Sequence, residues 1–296
     1  MTAFQIRPAQ PDDAPAVVAL RKLVYPYLVR SPESTRRQIA EEPACFVAEV
    51  DGVVAGWVSA TRDQRAEEPD FGQISQCHVH PDHRGRGIGT ALLDAATTHL
   101  RSLGVRRAAA RVLPEAAGFA ERRGFRMLPR ELRFSALDLS APPPVPAFRT
   151  GIELLPMREV TEKAMYEAEV AATGDVPEEV PSGPSPYDTW RQEIWDEPGL
   201  DRDASTVAVI GGRVAAFTLF MRDGERVWSD MTATVPDHRG QGLAMLVKTA
   251  ALRRAAAGGV TVAYASNDAA NAPMLAVNTR LGYRLIGTQI SCLTEL

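Results

Sequence analysis

The strongest constraint on the fold is a short run that occurs twice. Pro81-Asp82-His83-Arg84-Gly85-Arg86-Gly87-Ile88-Gly89 and Pro236-Asp237-His238-Arg239-Gly240-Gln241-Gly242-Leu243-Ala244 share Pro-Asp-His-Arg-Gly-x-Gly, with their arginines 155 positions apart (239 − 84). Each follows an apolar, strand-like run and opens a helical one. In the first copy Ile88, Leu92, Ala95, Ala96, Leu100 and Leu103 fall at helical spacing. Glycines let successive backbone N–H groups point one way, and a helix N-terminus adds partial positive charge. Together they form a cradle for a phosphate or pyrophosphate. No Gly-Lys-Ser/Thr closes the run as in a Walker loop, and Thr90 stands where a dinucleotide GxGxxG needs its third glycine. One Gly-rich match is weak evidence; the same match twice in the same context predicts two copies of one domain.

A chain of 296 residues suits two domains of ordinary size. With 45% hydrophobic and 24% charged residues, the composition is that of a globular protein. No apolar run approaches the roughly 20 residues of a membrane span, and no basic-then-apolar leader opens the sequence, so no membrane partner is expected and the cytoplasm is the expected location. Cys45, Cys77 and Cys292 are odd in number and scattered, which suggests neither a disulfide framework nor a zinc site, and no metal is expected. A net charge of −4 gives no reason to expect nucleic acid.

In chain order, Phe4 to Pro8 reads as a strand. Asp12 or Asp13 could cap a helix through Val29 with Val17, Leu20 and Val24 inward, and Ser31 to Glu41 reads as a second helix. A hairpin spans Cys45 to Val50 and Val53 to Ala60 around Asp51-Gly52. Ile74 to Val79 leads into the first cradle and its helix. A strand from Arg107 to Val112, a short helix around Glu115 to Arg123 ending at Gly124, and Leu132 to Leu139 follow. Residues 140–149 hold four prolines in five positions (Pro142 to Pro146) and read as an extended linker. The pattern then restarts: strand, helix, a hairpin over Gly211-Gly212, Val227 to Val235, the second cradle, Val260 to Ala265, a helix from about Ala269 to Arg280, and Ile286 to Leu293. The expected architecture is α/β (α+β), two tandem mixed-sheet domains at 1–139 and 150–296. Between Gly174 and Asp203 lies an acidic stretch with Trp190 and Trp195, read either as an aromatic-lined rim or as a solvated surface loop.

Arg-x-x-Gly-x-Gly (Arg84, Gly87, Gly89) and Arg-x-x-Gly-x-Ala (Arg239, Gly242, Ala244) resemble the acyl-CoA pyrophosphate loop of the GNAT acetyltransferase superfamily. The resemblance covers nearly all of the chain and implies two GNAT-like domains with CoA loops at 81–90 and 236–245. It implies acetyl-CoA as co-substrate, held by Val79, Arg84, Gly85, Arg86, Gly87, Gly89 and Thr90, and by Thr234, Val235, Arg239, Gly240, Gln241, Gly242 and Ala244. In the family a backbone N–H on the strand before the cradle polarises the thioester carbonyl. Here that strand segment is Cys77 to Val79 or Met231 to Thr234. Such a donor is typically worth ~3 kcal/mol.

An alkylammonium has a pKa of about 10, so a base or a desolvating pocket must remove its proton. Asp230, nine residues before Arg239, is the candidate base; strand alternation would put it on one face with Trp228, Thr232 and Thr234. A structural cap or bridge is its other reading. The first copy has Ser75 there, with His78 and His80 as other bases. The family's leaving thiolate is commonly protonated by a tyrosine four residues before a closing Gly-Phe; Ala120 and Asn278 stand at that position. Asn271 would contact the pantetheine arm and Asn278 the sulfur, so the second copy is expected to be the catalytic one. Lys248 is read as either on the phosphate side of its helix or as an ordinary exposed lysine, and Cys77 as either an acyl carrier or a buried thiol.

These readings converge on an N-acetyltransferase that passes acetyl to the primary amine of a small-molecule amine substrate by direct attack. A non-catalytic acyl-CoA-binding sensor or scaffold, and a protein lysine or N-terminal acetyltransferase, are the alternatives. A homodimer is left open.

Overall fold

The computed structural model describes residues 3–41, 44–63, 68–144, 150–173 and 184–296. Contacts divide the described chain into two compact units: Thr288–Leu296 groups with the residues up to Leu132, and the residues from Arg133 to Gly287 form the other.

In the first unit, β1 (Phe4–Pro8) leads through a 3-10 turn to α1 (Ala14–Val24) and α2 (Pro32–Glu41). α1 stops at Val24 and not at the expected Val29. Pro26 disfavours helical backbone at Tyr25, which sits at φ −144°, ψ 66°. β2 (Cys45–Val50), β3 (Val53–Arg62) and β4 (Phe71–Val79) form an antiparallel meander with β1. α3 (Ile88–Ser102) crosses over to β5 (Arg107–Val112), which lies parallel to β4. α4 (Ala117–Glu121) and β6 (Arg126–Asp138) follow. The second unit repeats the order with β7 (Glu153–Pro156), α5 (Glu162–Thr173), α6 (Tyr187–Trp190) running on as a π-helical turn, β8 (Thr206–Ile210), β9 (Arg213–Asp223), β10 (Arg226–Thr234), α7 (Leu243–Ala257), β11 (Val262–Asp268) and α8 (Ala272–Leu281). Strand order is β1-β2-β3-β4-β5 in one unit and β7-β8-β9-β10-β11 in the other.

The final strand, β12 (Arg284–Glu295), ends inside the first unit. Ile290–Glu295 pairs antiparallel with Arg107–Val112 of β5, and Cys292 is fully buried in that unit's core. A free β5 edge would leave a row of backbone donors and acceptors open. The second unit claims the first part of the expected linker: Arg253 Nη1 donates to the carbonyl of Pro143 at 2.8 Å. The remainder of that segment, 145–149, lies outside the described residues.

Both units sandwich a sheet between helices. α1 and α2 cover one face of the first sheet, Ala14, Val17, Leu20 and Ile39 clustering with Trp57 of β3. α3 covers the other through Ile88, Leu92, Ala96 and Leu100. The entry of α3 presses so closely on β3 that a Cβ on Gly56 would meet Leu92 Cδ1 at 2.8 Å and Ile88 Cγ2 at 3.0 Å. Because these atoms belong to fully buried side chains, the site has little room to yield. Gly56→Ala should therefore cost about 1–3 kcal/mol in urea unfolding. A neutral result would mean that α3 is free to shift on the sheet.

Candidate active site

Each cradle follows a strand that has parted from its parallel neighbour. β4 pairs with β5 only from Phe71↔Arg107 to Ile74↔Ala110, although β4 runs on to Val79. β10 pairs with β11 only from Arg226↔Val262 to Ser229↔Ala265, although it runs on to Thr234. On its other side each strand stays in its antiparallel ladder, but with a bulge at the parting point. In the first unit Ser75 and His78 oppose Ser59 and Trp57, with Gln76 at φ 59° between them. In the second, Ser229 and Met231 oppose Phe220 and Leu219, so that Asp230 is the extra residue. Past the bulge the parallel neighbour is lost, while the N–H groups of His80 and Val235 still donate to the carbonyls of Ala55 and Ala215 at 2.8 and 2.9 Å.

The bulge also corrects the expected facing of β10. Trp228 pairs with Met221 and Thr232 with Thr218, and these partners lie on opposite faces of β9. Strict alternation therefore fails at Asp230. Thr232 and Thr218 meet through their hydroxyls at 2.7 Å, while Trp228 packs near Phe134 on the other face. Asp230 is exposed at the point where the strands separate.

Beyond the strands the two cradles share one local geometry. Pro81–His83 and Pro236–His238 are 3-10 turns. Arg84 Nε donates to the carbonyl of Val79 at 3.2 Å, and Arg239 Nε to that of Thr234 at 3.2 Å. Each arginine thus braces the strand end to the loop. Gly85 and Gly87 lie at φ 73° and 88°, Gly240 and Gly242 both at 75°. A Cβ at Gly85 or Gly240 would meet nothing within 4 Å, so glycine is there for its backbone angle and leaves open space. Gly87 and Gly242 are the N-caps of α3 and α7, and neither helix is capped by a side chain. An exposed, uncapped helix start behind left-handed glycines suits a pyrophosphate.

The profile of the family described as Acetyltransferase (GNAT) family matches residues 14–125 and 164–283. The chain belongs to the GNAT acetyltransferase family. It is similar to the mycothiol acetyltransferase of Streptomyces coelicolor, 30% identical over 264 residues that cover 82% of this chain and 77% of that protein. The mycothiol acetyltransferase of Streptomyces avermitilis is also 30% identical, over 77% of this chain and 73% of its own length. Among solved structures, a tandem GNAT protein from the clavulanic acid biosynthesis pathway aligns with TM-score 0.75 at 21% identity, covering 99% of this chain and 98% of that one. A GCN5-related N-acetyltransferase from Sphaerobacter thermophilus aligns with TM-score 0.75 at 21% identity, covering 99% and 95%. The protein is a tandem GNAT acetyltransferase, and its family generally uses acetyl-CoA.

The two GNAT units differ behind their cradles. In the first, Phe119 packs against Gly89, where a Cβ would meet its ring at 3.3 Å. The Arg123 guanidinium lies 3.7 Å over that ring and donates to Thr90 Oγ1. Ala120 is buried in the core. Burial pushes the Cys77 thiol up to about 12, and its Sγ reaches the carbonyl of Gly89 at 3.9 Å, so it stays protonated. His78 is held down to about 3 by burial, then by Arg21 and Arg84, and is neutral. His80 Nδ1 instead accepts from the N–H of Asp82 at 3.3 Å, capping the turn. Among the described residues no His, Cys, Asp and Glu group could hold a metal.

In the second unit, Asn271 caps α8, its Oδ1 accepting from the N–H of Met274 at 3.2 Å. Asn278, at the family's tyrosine position, is buried and engaged at both ends of its amide. Lys248 Nζ donates to its Oδ1 at 2.7 Å, and its Nδ2 donates to Asn267 Oδ1 at 2.6 Å. Lys248 is therefore neither an exposed lysine nor a phosphate ligand. It is 1% exposed, its Nζ lies 4.9 Å from the Tyr283 ring centroid, and burial pushes it down to about 7. A signal for it was present: Lys248 stands three and four residues before Ala251 and Leu252, on the buried stripe of α7. The aromatic rim expected around Trp190 and Trp195 is partly core, since Trp190 is 1% exposed and packs among Tyr166, Tyr187 and Trp195. Residues 174–183 of that acidic stretch lie outside the described residues.

The buried Lys248 has a pH consequence. In the native state it titrates at about 7 against an ordinary value of 10.5. Between those values the unfolded chain binds more protons, so the cost of the buried charge lifts as pH rises through this window. Relative to Lys248→Met, the parent should gain up to about 1.4 kcal/mol per pH unit across it. Urea unfolding of both proteins from pH 7 to 10 measures the difference; a flat difference would contradict the buried amine.

Proposed function

We propose that this GNAT protein transfers acetyl from acetyl-CoA to the primary amine of a small molecule by direct attack, and that the second unit does the chemistry. The observation that carries this reading is the coincidence of three features in one stretch of β10: the strands part after Ser229, Asp230 is extruded at that point, and Arg239 locks the strand end to an open cradle. In this reading Val79, Arg84 to Gly87, Gly89 and Thr90 hold the diphosphate in the first unit. Thr234, Val235, Arg239 to Gly242 and Ala244 do so in the second. The main chain from Met231 to Thr234 donates to the thioester carbonyl, and Asp230 takes the proton of the incoming ammonium, directly or through water.

In place of the family's phenol stands Asn278, held by Lys248 and Asn267. We assign this buried network the task of favouring the leaving sulfur, with Asn271 shaping the pantetheine path. The first unit lacks these groups: Ser75 stands in place of Asp230 and Ala120 in place of Asn278, while desolvation holds the His78 imidazole down to about 3, a weak base, and keeps the Cys77 thiol protonated. Phe119 and Arg123 also fill the flank of its first helical turn, where the second unit has Val277 and Leu281. This supports a first unit that keeps acetyl-CoA binding or structure without catalysis.

The relatives are named mycothiol acetyltransferases, which makes the acceptor of those proteins the first compound to test. Amine-dependent release of free CoA, followed over a panel of small amines that includes it, separates an enzyme from an acyl-CoA sensor. Asp230→Asn should lower turnover by at least ~100-fold, with Asn278→Ala also below the parent and Ser75→Ala close to it. Equal losses for Asp230→Asn and Ser75→Ala would overturn the assignment to the second unit.

A further inference from the structure

The first unit holds a cation that no described acid compensates. Arg21 stands on the inward stripe of α1, four residues after Val17 and three before Val24, and is 1% exposed. Its Nη1 donates to Thr35 Oγ1 at 3.2 Å, while Nε and Nη2 are buried and have no partner among the described residues. Those two N–H groups form the parallel edge of the guanidinium, the edge that matches both oxygens of a carboxylate. The titratable groups that act on Arg21 are Arg30, which opposes its charge, and the buried Cys45 thiol; neither is a carboxylate.

Two more buried polar atoms without partners lie on the same face of the sheet. Trp57 packs with Ala14, Val17 and Leu20 of α1, and its indole Nε1–H has no acceptor. Directly across the ladder from Trp57 is His78, whose Nδ1 is also buried and unpartnered. The His78 ring packs on Tyr25 at 5.8 Å, at the end of α1, and feels the charge of Arg21. Buried polar groups are nearly always satisfied, and here several left unsatisfied gather between one helix and two strands. A water molecule would answer the N–H groups but leave the guanidinium charge uncompensated.

We propose that the first unit binds a small carboxylate beneath α1, with Arg21 Nε and Nη2 gripping its two oxygens, Trp57 Nε1 donating to one of them, and Tyr25 and His78 forming the wall. Apart from His78, which lies on the strand leading into the first cradle, the site rests on residues outside both cradles, and it does not depend on which unit transfers acetyl. It makes the first unit a reader of a carboxylate ligand.

Thermal unfolding and calorimetry of the full chain with acetate and propionate test this, at ionic strength held constant with sodium chloride. Acetamide, of the same shape without the charge, and inorganic phosphate form the control arms. The carboxylates should raise Tm saturably, with acetamide and phosphate giving no such rise. Arg21→Met should weaken the carboxylate response at least tenfold and, by removing an uncompensated buried charge, unfold no earlier than the unliganded parent. Trp57→Phe, which deletes only the indole donor, should weaken it by a smaller factor. An equal response to acetate and acetamide, or to acetate and phosphate, would overturn the proposal. So would a response unchanged in Arg21→Met, or, should that variant fail to fold, unchanged in Trp57→Phe.

Discussion

The architecture turns on one interruption of a β-ladder. In the proposed reading the two parallel strands separate to admit a thioester, and the separating strand must still keep its place in the sheet. Both units solve this in the same way. β4 and β10 abandon their parallel neighbours after Ile74 and Ser229, while a bulge lets each keep its antiparallel partner. The arginine of each repeated run then ties the last strand carbonyl to the glycine loop. Strand, loop and helix start thus become one braced piece, which is the preorganisation that a polarising backbone donor requires.

Two buried cations show how the copies have diverged around this shared frame. Lys248 and Arg21 both stand on inward stripes of helices, where a charge is costly unless bonded. Lys248 donates to Asn278, which in turn donates to Asn267, and its proton is loosely held. Arg21 cannot shed its proton so easily and satisfies only one of its nitrogens within the described chain. The second unit's amine thus joins a chain of side-chain hydrogen bonds that reaches α8, whereas two nitrogens of the first unit's guanidinium have no partner among the described residues beneath α1.

Much of this was legible in the sequence. The repeated Pro-Asp-His-Arg-Gly-x-Gly fixed both cradles, their strands and their helices, because glycine angles and helical spacing are local properties. What escaped was non-local. No local signal shows that the last residues of β12 pair with β5, since strand pairing between positions so distant leaves no mark in either segment. The bulge at Asp230 defeated strict alternation, and so Trp228 was expected on the wrong face. Lys248 and Arg21 were visible on their apolar stripes, but a long side chain there can equally reach the surface; only packing shows that these two do not.

The central claim is that both repeated runs are acetyl-CoA cradles braced by their arginines. Calorimetric titration of acetyl-CoA into the intact chain and into Arg84→Glu and Arg239→Glu tests it most directly. Two sites in the parent, with one lost in each variant, is the predicted result. Binding that survives both substitutions unchanged, or no binding to the parent, would contradict it.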